Sequence, residues 1–192
     1  TDVTHEGTFY TARDLSIYDR PDVPVPIYLG AAGPAAARLA GRMADGFITT
    51  SGKKRELYTE TLLPAVAEGL EKAGRADDAI DRMLEVKVSL DDTLDAAREK
   101  TRFWAPLALS PEEKMTVHDP REMQRLAAEL PIERVASRFI VSDDVEAHID
   151  AIGWYVDQGF THLVFHDPGA DQEAFLRRYG ADVLPRLRER YA

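Results

Sequence analysis

Two short stretches of the chain carry residue types suited to binding anions. Gly30-Ala31-Ala32-Gly33-Pro34 joins an apolar run to a helix-favouring one. Small side chains there let a phosphate approach the backbone, and a helix N-terminus offers unpaired N–H groups and a favourable dipole. The same five residues would equally serve as a tight βα turn. The second stretch, Thr50-Ser51-Gly52-Lys53, closes the next apolar run. It is only superficially a phosphate-cradling P-loop. Gly46 to Gly52 is one residue too long, and Lys54 stands where Ser or Thr should hold magnesium. That excludes a nucleoside triphosphatase. A lysine at the C-terminal end of a barrel strand still suits an anionic substrate, while Lys53-Lys54-Arg55 would also suit a solvated helix start.

The other chemically capable residues point less clearly. His162 and His166 lie four apart on one run and share a face, but no carboxylate stands at metal-ligand spacing and H-E-x-x-H is absent. No metal site is expected. His166 is expected to line a site at the end of the last strand, with His5, His118 and His148 at the surface. Trp104, next to Phe103, is expected in core packing rather than as a cofactor platform. Among 34 Asp and Glu residues, spacing singles out no catalytic carboxylate.

The elements that must position these residues alternate. Residues 1–24 read as loop and hairpin. Val25-Pro26-Ile27-Tyr28-Leu29, apolar on both faces, reads as a buried parallel strand. Pro34 suits the first position of a helix running to Met43. Residues 47–50 read as a second strand and Lys53–Lys72 as a helix, with apolar residues at helical spacing. A third strand is expected at Met83–Leu90, then a helix from Asp92 to Phe103. Residues 105–136, with four prolines around short helical pieces, read as an insertion. Phe139-Ile140-Val141 is a short extended run, after which Asp143 or Asp144 caps a helix ending near Gln158. Thr161–Phe165 is a last strand and Gln172–Tyr191 a closing helix. This alternation predicts an α/β fold with parallel strands. Four strand–helix units are half of the eight in a barrel. An open doubly wound sheet is the alternative, although no G-x-G-x-x-G follows a strand.

Composition bounds the function. The 192 residues are 44% hydrophobic and 30% charged, as in an ordinary soluble protein, and contain no cysteine. Disulfides, thiolate catalysis and Cys-based metal sites are excluded, which suits a cytoplasmic enzyme. No apolar run approaches the ~20 residues of a membrane helix. A net charge of −10 argues against nucleic acid. It does not exclude a small anion, since a site is set by its nearest groups. The acidic start, Thr1 to Glu6, is neither a signal nor a transit peptide.

Several runs resemble a known family. Val25 to Pro34 and Ala40-Gly41-Arg42-Met43-Ala44-Asp45-Gly46-Phe47-Ile48 are similar to the luciferase-like superfamily of flavin and deazaflavin barrels. Thr50 to Lys53, Thr101-Arg102-Phe103-Trp104-Ala105-Pro106-Leu107, Leu130-Pro131-Ile132-Glu133 and His162 to His166 resemble, within it, the F420-dependent glucose-6-phosphate dehydrogenases. The likeness covers essentially the whole chain.

It implies a (β/α)8 TIM barrel of which residues 1–192 supply the C-terminal half. The implied reaction is oxidation of glucose 6-phosphate to 6-phosphogluconolactone, with hydride passing to coenzyme F420. By the same likeness Lys53, Lys114 and Arg138 hold the sugar phosphate, and Thr50 is a polar substrate contact. Ala32, Gly33, Ala35 and Ala36 match the cofactor phosphate site. Three cations from separate segments would neutralise a dianion, with Arg supplying a planar fork. The family pairs glycines where this chain has Ala32-Gly33, and a methyl there alters backbone approach to the cofactor. The family's catalytic His, Glu and Trp match nothing here and are expected upstream, so the chain alone is expected to be inactive. A cytoplasmic homodimer is implied as well. The rivals are another F420- or FMN-dependent oxidoreductase of the superfamily, and a non-catalytic phosphate-binding fragment.

Overall fold

The structure is a computed structural model that describes residues 2–191. An antiparallel hairpin of β1 (Val3–Glu6) and β2 (Thr11–Leu15) opens the chain, closed by Gly7 N–H donating to Tyr10 O at 2.9 Å. A parallel sheet follows. β3 (Tyr28–Gly30) pairs with β4 (Gly46–Thr50), which pairs with β5 (Asp81–Leu90). β5 in turn pairs with β7 (His162–His166) and, at its C-terminal end, with the short β6 (Ile140–Ser142). Successive parallel strands are joined by helices, as right-handed βαβ units require.

The alternation of β4 and β5 separates two faces. Phe47 on β4 and Leu84, Val86 and Val88 on β5 are buried in the hydrophobic core. Ile48, Thr50, Glu85 and Lys87 lie on the other face, where they line a cavity. Two helices cover the buried face of the first units. α1 (Pro34–Met43) starts at Pro34, whose missing N–H would be unsatisfied there anyway. α2 (Leu63–Lys72) continues a π-helical stretch, Leu57–Leu62. α1 and α2 close on each other through glycine. A methyl at Gly41 would overlap Val66 O, and one at Gly69 would overlap Arg38 O.

Both π-helical stretches have the same cause. Leu57–Leu62 precedes Pro64, and Tyr179–Val183, between α8 (Gln172–Arg178) and α9 (Leu184–Tyr191), precedes Pro185. Proline cannot donate to the carbonyl four residues back, and its ring collides with it. Widening to i→i+5 bonds, Leu63 N–H to Tyr58 O and Leu184 N–H to Tyr179 O, relieves that collision. The two long helices expected at 53–72 and 172–191 therefore each contain a widened turn.

Residues 101–136 are helical pieces: 3₁₀ turns over Thr101–Ala108, then α4 (Pro111–Met115), α5 (Pro120–Ala128) and α6 (Ile132–Ala136). They share a small core of their own, including Ala105, Ala127 and Val135. α3 (Leu94–Lys100) starts two residues later than Asp92, because Thr93 is its cap and accepts from Ala96 N–H at 3.2 Å. α7 (Val145–Asp157) is capped by Asp144 rather than Asp143.

Two expectations are corrected. The run Val25–Leu29 is not a buried strand, since Val25 and Ile27 are 68% and 64% exposed and β3 begins only at Tyr28. Pro24 and Pro26 bring no N–H to a ladder, and Ile27 instead donates to Asp45 Oδ2. His148 is not at the surface but wholly buried, on the face of α7 shared with Ile149 and Ile152. Its Nδ1 lies 2.8 Å from the Tyr179 hydroxyl, and its Nε2 has no hydrogen-bond partner.

Burial pushes the His148 pKa down from 6.5 to about 4; the Ser89 backbone opposes it, the charges of Arg178 and Lys100 push the same way as burial, and Asp144 opposes weakly. The folded pKa is depressed, so the native state binds fewer protons than the unfolded chain between these values. Stability is therefore lost as pH falls through that window, by about 2 kcal/mol at pH 5 on ~1.4 kcal/mol per unit. Urea midpoints should drop between pH 7 and pH 5, and His148→Gln should remove most of that slope. An unchanged slope in the variant would assign the acid sensitivity to other groups.

Candidate anion-binding site

The C-terminal ends of β3, β4 and β5 border a cavity of about 490 Å³. Barrel sites are built at this end of the strands. Thr50, Lys53, Lys114 and Arg138 all line it, together with Gly30-Ala31-Ala32. The four residues assigned to substrate from the sequence are thus brought together from three separate segments.

Each is held by its own local structure. Tyr58, buried, donates its hydroxyl hydrogen to Thr50 O at 2.8 Å and accepts from Lys53 N–H at 3.3 Å, pinning the loop between them. Gly52 bends that loop with φ +73°, and a methyl there would overlap Arg138 O. The backbone bearing Lys53 therefore sits directly on the backbone bearing Arg138. Lys114 rides on α4, which opens with a capping box: Ser110 Oγ accepts from Glu113 N–H at 3.1 Å, and Ser110 N–H donates to Glu113 Oε2 at 2.6 Å. Glu113 also pairs with Arg134 of α6, tying α4 to the helix that ends just before Arg138.

The cations outnumber the one carboxylate, Glu85, that lines the cavity with them. Among the described residues, none of Lys53, Lys114 and Arg138 takes part in an ion pair, and Arg138 Nε is buried with no partner. Burial lowers the pKa of both Lys53 and Lys114, and the charge of Arg138 lowers each further. Such a cluster repels itself and gains from a bound anion.

A fourth cation, Lys87, was not singled out from the sequence. It is only 7% exposed on β5, and its ammonium donates to Thr50 Oγ1 at 2.7 Å and to Ser51 O at 2.6 Å. Burial pushes its pKa down to about 8, with Arg138 and Lys53 lowering it and Glu85 opposing. Glu85 and Lys87, charged and alternating with Leu84, Val86 and Val88, were the signal that this face is not core.

The proposed cofactor residues are arranged differently. Ala32 lines the cavity, while Gly33, Ala35 and Ala36 lie at the start of α1, where Ala35 and Ala36 are exposed. No side chain caps this helix, and a methyl on Gly33 would meet nothing within 4 Å. The helix start is open to a ligand. Its glycine is extended, at φ −154°, a conformation any residue adopts.

A second cavity of about 460 Å³ adjoins this one and shares Thr50, Glu85, Lys87 and Leu107 with it. Phe103, Trp104 and His166 form its other wall. Trp104 is therefore half-buried against a cavity rather than in the core, its ring 6.1 Å from that of His166. His166 lines this cavity as expected, and its Nε2 has no partner. His162 sits at the opposite end of β7, 3.0 Å from Asp81, so the two histidines do not meet.

A parallel α/β half-barrel with its polar residues gathered at the strand C-termini is the plan of a barrel enzyme. Residues 1–162 match the model of the luciferase-like monooxygenases, and the chain belongs to that family. It is 67% identical, over 99% of its length, to the F420-dependent glucose-6-phosphate dehydrogenase of Microbacterium testaceum (strain StLB037). To the enzyme of that name from Beutenbergia cavernae it is 63% identical over 98%. In each case it spans 56% of the relative, so the chain covers about half the length of the curated relatives it matches. Among solved structures, an F420-dependent secondary alcohol dehydrogenase in complex with an F420-acetone adduct superposes with a TM-score of 0.84 at 26% identity, over 97% of this chain and 56% of that one. The F420-dependent tetrahydromethanopterin reductase from Methanopyrus kandleri shares the fold, with a TM-score of 0.77 at 23% identity over 96% of this chain and 58% of that one.

Proposed function

We propose that the chain is the substrate-anchoring half of an F420-dependent glucose-6-phosphate dehydrogenase, one domain in which residues 105–136 are an insertion carrying Lys114 over the strand ends. The observation that carries this reading is the convergence of Lys53, Lys114 and Arg138 on one cavity without a carboxylate partner. A phosphate dianion supplies the missing charge, and the guanidinium offers it a planar fork. Relatives at 67% and 63% identity carry that activity in their names, which supports the choice of glucose 6-phosphate.

Coenzyme F420 fits the residues present at the start of α1. A methyl on Gly33 would meet nothing, Ala35 and Ala36 are exposed, and no side chain caps the helix N–H groups, which suit a phosphate of the cofactor. Held there, the deazaflavin would supply the hydride acceptor for oxidation of the sugar. This chain's part is to bind and orient. The three cations fix the phosphate end, contributing binding energy remote from the reacting carbon, and Thr50 holds a polar contact between phosphate and sugar. Under the same reading the protein acts in carbohydrate metabolism as a cytoplasmic homodimer.

Oxidised F420 should lose its visible absorbance when full-length protein meets glucose 6-phosphate, and keep it with glucose. Loss with both sugars would remove the phosphate anchor from the reading. No loss with either, under conditions where the cofactor binds, would move the substrate elsewhere in the superfamily.

A further inference from the structure

The wall shared by the two cavities sets Glu85 and Lys87 beside Thr50. Thr50, Glu85 and Lys87 line both the cation-rich cavity and the one bounded by Phe103, Trp104 and His166. A ligand anchored by its anion on Lys53, Lys114 and Arg138 and extending toward the aromatic cavity must pass this wall.

Lys87 spends two of its three ammonium hydrogens on Thr50 Oγ1 and Ser51 O, leaving one. Thr50 Oγ1, already accepting from Lys87, holds its own hydrogen only weakly, against Ser51 O at 3.2 Å. That hydrogen is available to a ligand acceptor. Glu85 is half-buried and, among the described residues, has neither an ion-pair partner nor a side-chain hydrogen bond. Two donors and an acceptor thus stand together on one strand face. A lone anion has no use for such a set, and Glu85 repels it. Vicinal hydroxyls, each donor and acceptor at once, satisfy it.

We infer that Glu85 and Lys87, with Thr50, form a hydroxyl-reading subsite that selects an anionic polyol over a bare anion and over ligands with a second negative group beside the first. This rests on the reading of the neighbouring cations as a phosphate anchor. Because Lys87 is buried and Glu85 half-buried beside apolar walls, a ligand that covers them without hydroxyls leaves them unsatisfied. Discrimination of that kind is stronger than that from shape alone.

Calorimetry on full-length protein with glucose 6-phosphate and with inorganic phosphate tests the inference without turnover. Wild type should prefer the sugar phosphate at least about tenfold, on about 1–3 kcal/mol for groups otherwise left unpaired. Glu85→Gln should cut that preference to within about threefold, through weaker sugar-phosphate binding and equal or tighter phosphate binding. Lys87→Met, similar in volume, should weaken both ligands and narrow the preference. If it does not fold by circular dichroism, Glu85→Gln decides alone, since that carboxylate has no partner to lose. A wild-type preference retained in Glu85→Gln overturns the subsite, as does an equal loss for both ligands. The anchor is judged separately: if Arg138→Ala leaves phosphate affinity unchanged, the cation reading falls whatever Glu85 does.

Discussion

Arg138→Ala raises the KM for glucose 6-phosphate by about two orders of magnitude and leaves F420 affinity nearly unchanged. The guanidinium is half-buried, and its Nε is buried without a partner. Charge-assisted hydrogen bonds to an ionised ligand are each worth about 1.5–3 kcal/mol, and a guanidinium makes two in parallel. Lys53→Ala has the same direction but a smaller size, because Lys53 is only partly buried, more open than Arg138, and its charge is better screened by water. Of the cofactor residues, Ala32 alone lines the cavity with this cluster, and Gly33, Ala35 and Ala36 stand outside it at the start of α1, so the two affinities should separate. Steady-state kinetics with each substrate varied, plus direct F420 titration, provides the check. Equal losses for sugar phosphate and cofactor would end the assignment of these cations to the phosphate.

Replacing Gly41 with valine leaves the chain unfolded or insoluble. The position sits where α1 meets α2, and any side chain there enters space held by Val66 O and approaches Leu70 N at 3.0 Å. Gly69 mirrors it from α2 against the backbone of α1. Neither obstacle is a flexible side chain, so the helices must move apart and open the apolar layer beneath them. Overpacking typically costs about 1–3 kcal/mol. A clash with the backbone of the facing helix belongs to the tail above about 4 kcal/mol, most of the stability of an ordinary domain. Gly33→Ala serves as the contrast, since its methyl meets nothing and should move the urea midpoint little. Soluble Gly41→Val with a near-wild-type midpoint would mean that the helices do not pack as described.

The fold was largely legible because parallel strands and their helices write different periods into the sequence. Met83–Leu90 and residues 47–50 were plain as strands, and Pro34 and Gly159 marked real boundaries. Val25–Leu29 misled because its residues are apolar yet two prolines deny them a ladder. The widened turns before Pro64 and Pro185 were legible in principle, since the prolines were in view. The site was harder. Lys53 could be found at a strand end, but Lys114 and Arg138 lie 61 and 85 residues beyond it, and only resemblance joined them. No spacing rule spans several intervening helices and a strand. Lys87 and Glu85 were overlooked among Leu84, Val86 and Val88, where alternation already placed them on the opposite face. Val145 and Ile152, apolar and at helical spacing from His148, were the signal that it faces the core; its tyrosine partner, 31 residues away, left no local trace.

The seating of Gly52 against the carbonyl of Arg138 fixes the gauge of the anion clamp. The separation of its two jaws is set by main chain, not by adjustable side chains. Exchanging lysines and arginines would then tune the strength of the grip without changing the size of what is gripped. Redirecting the site to a bulkier anionic headgroup calls for rebuilding both loops together. Single substitutions on either one should combine non-additively with those on the other.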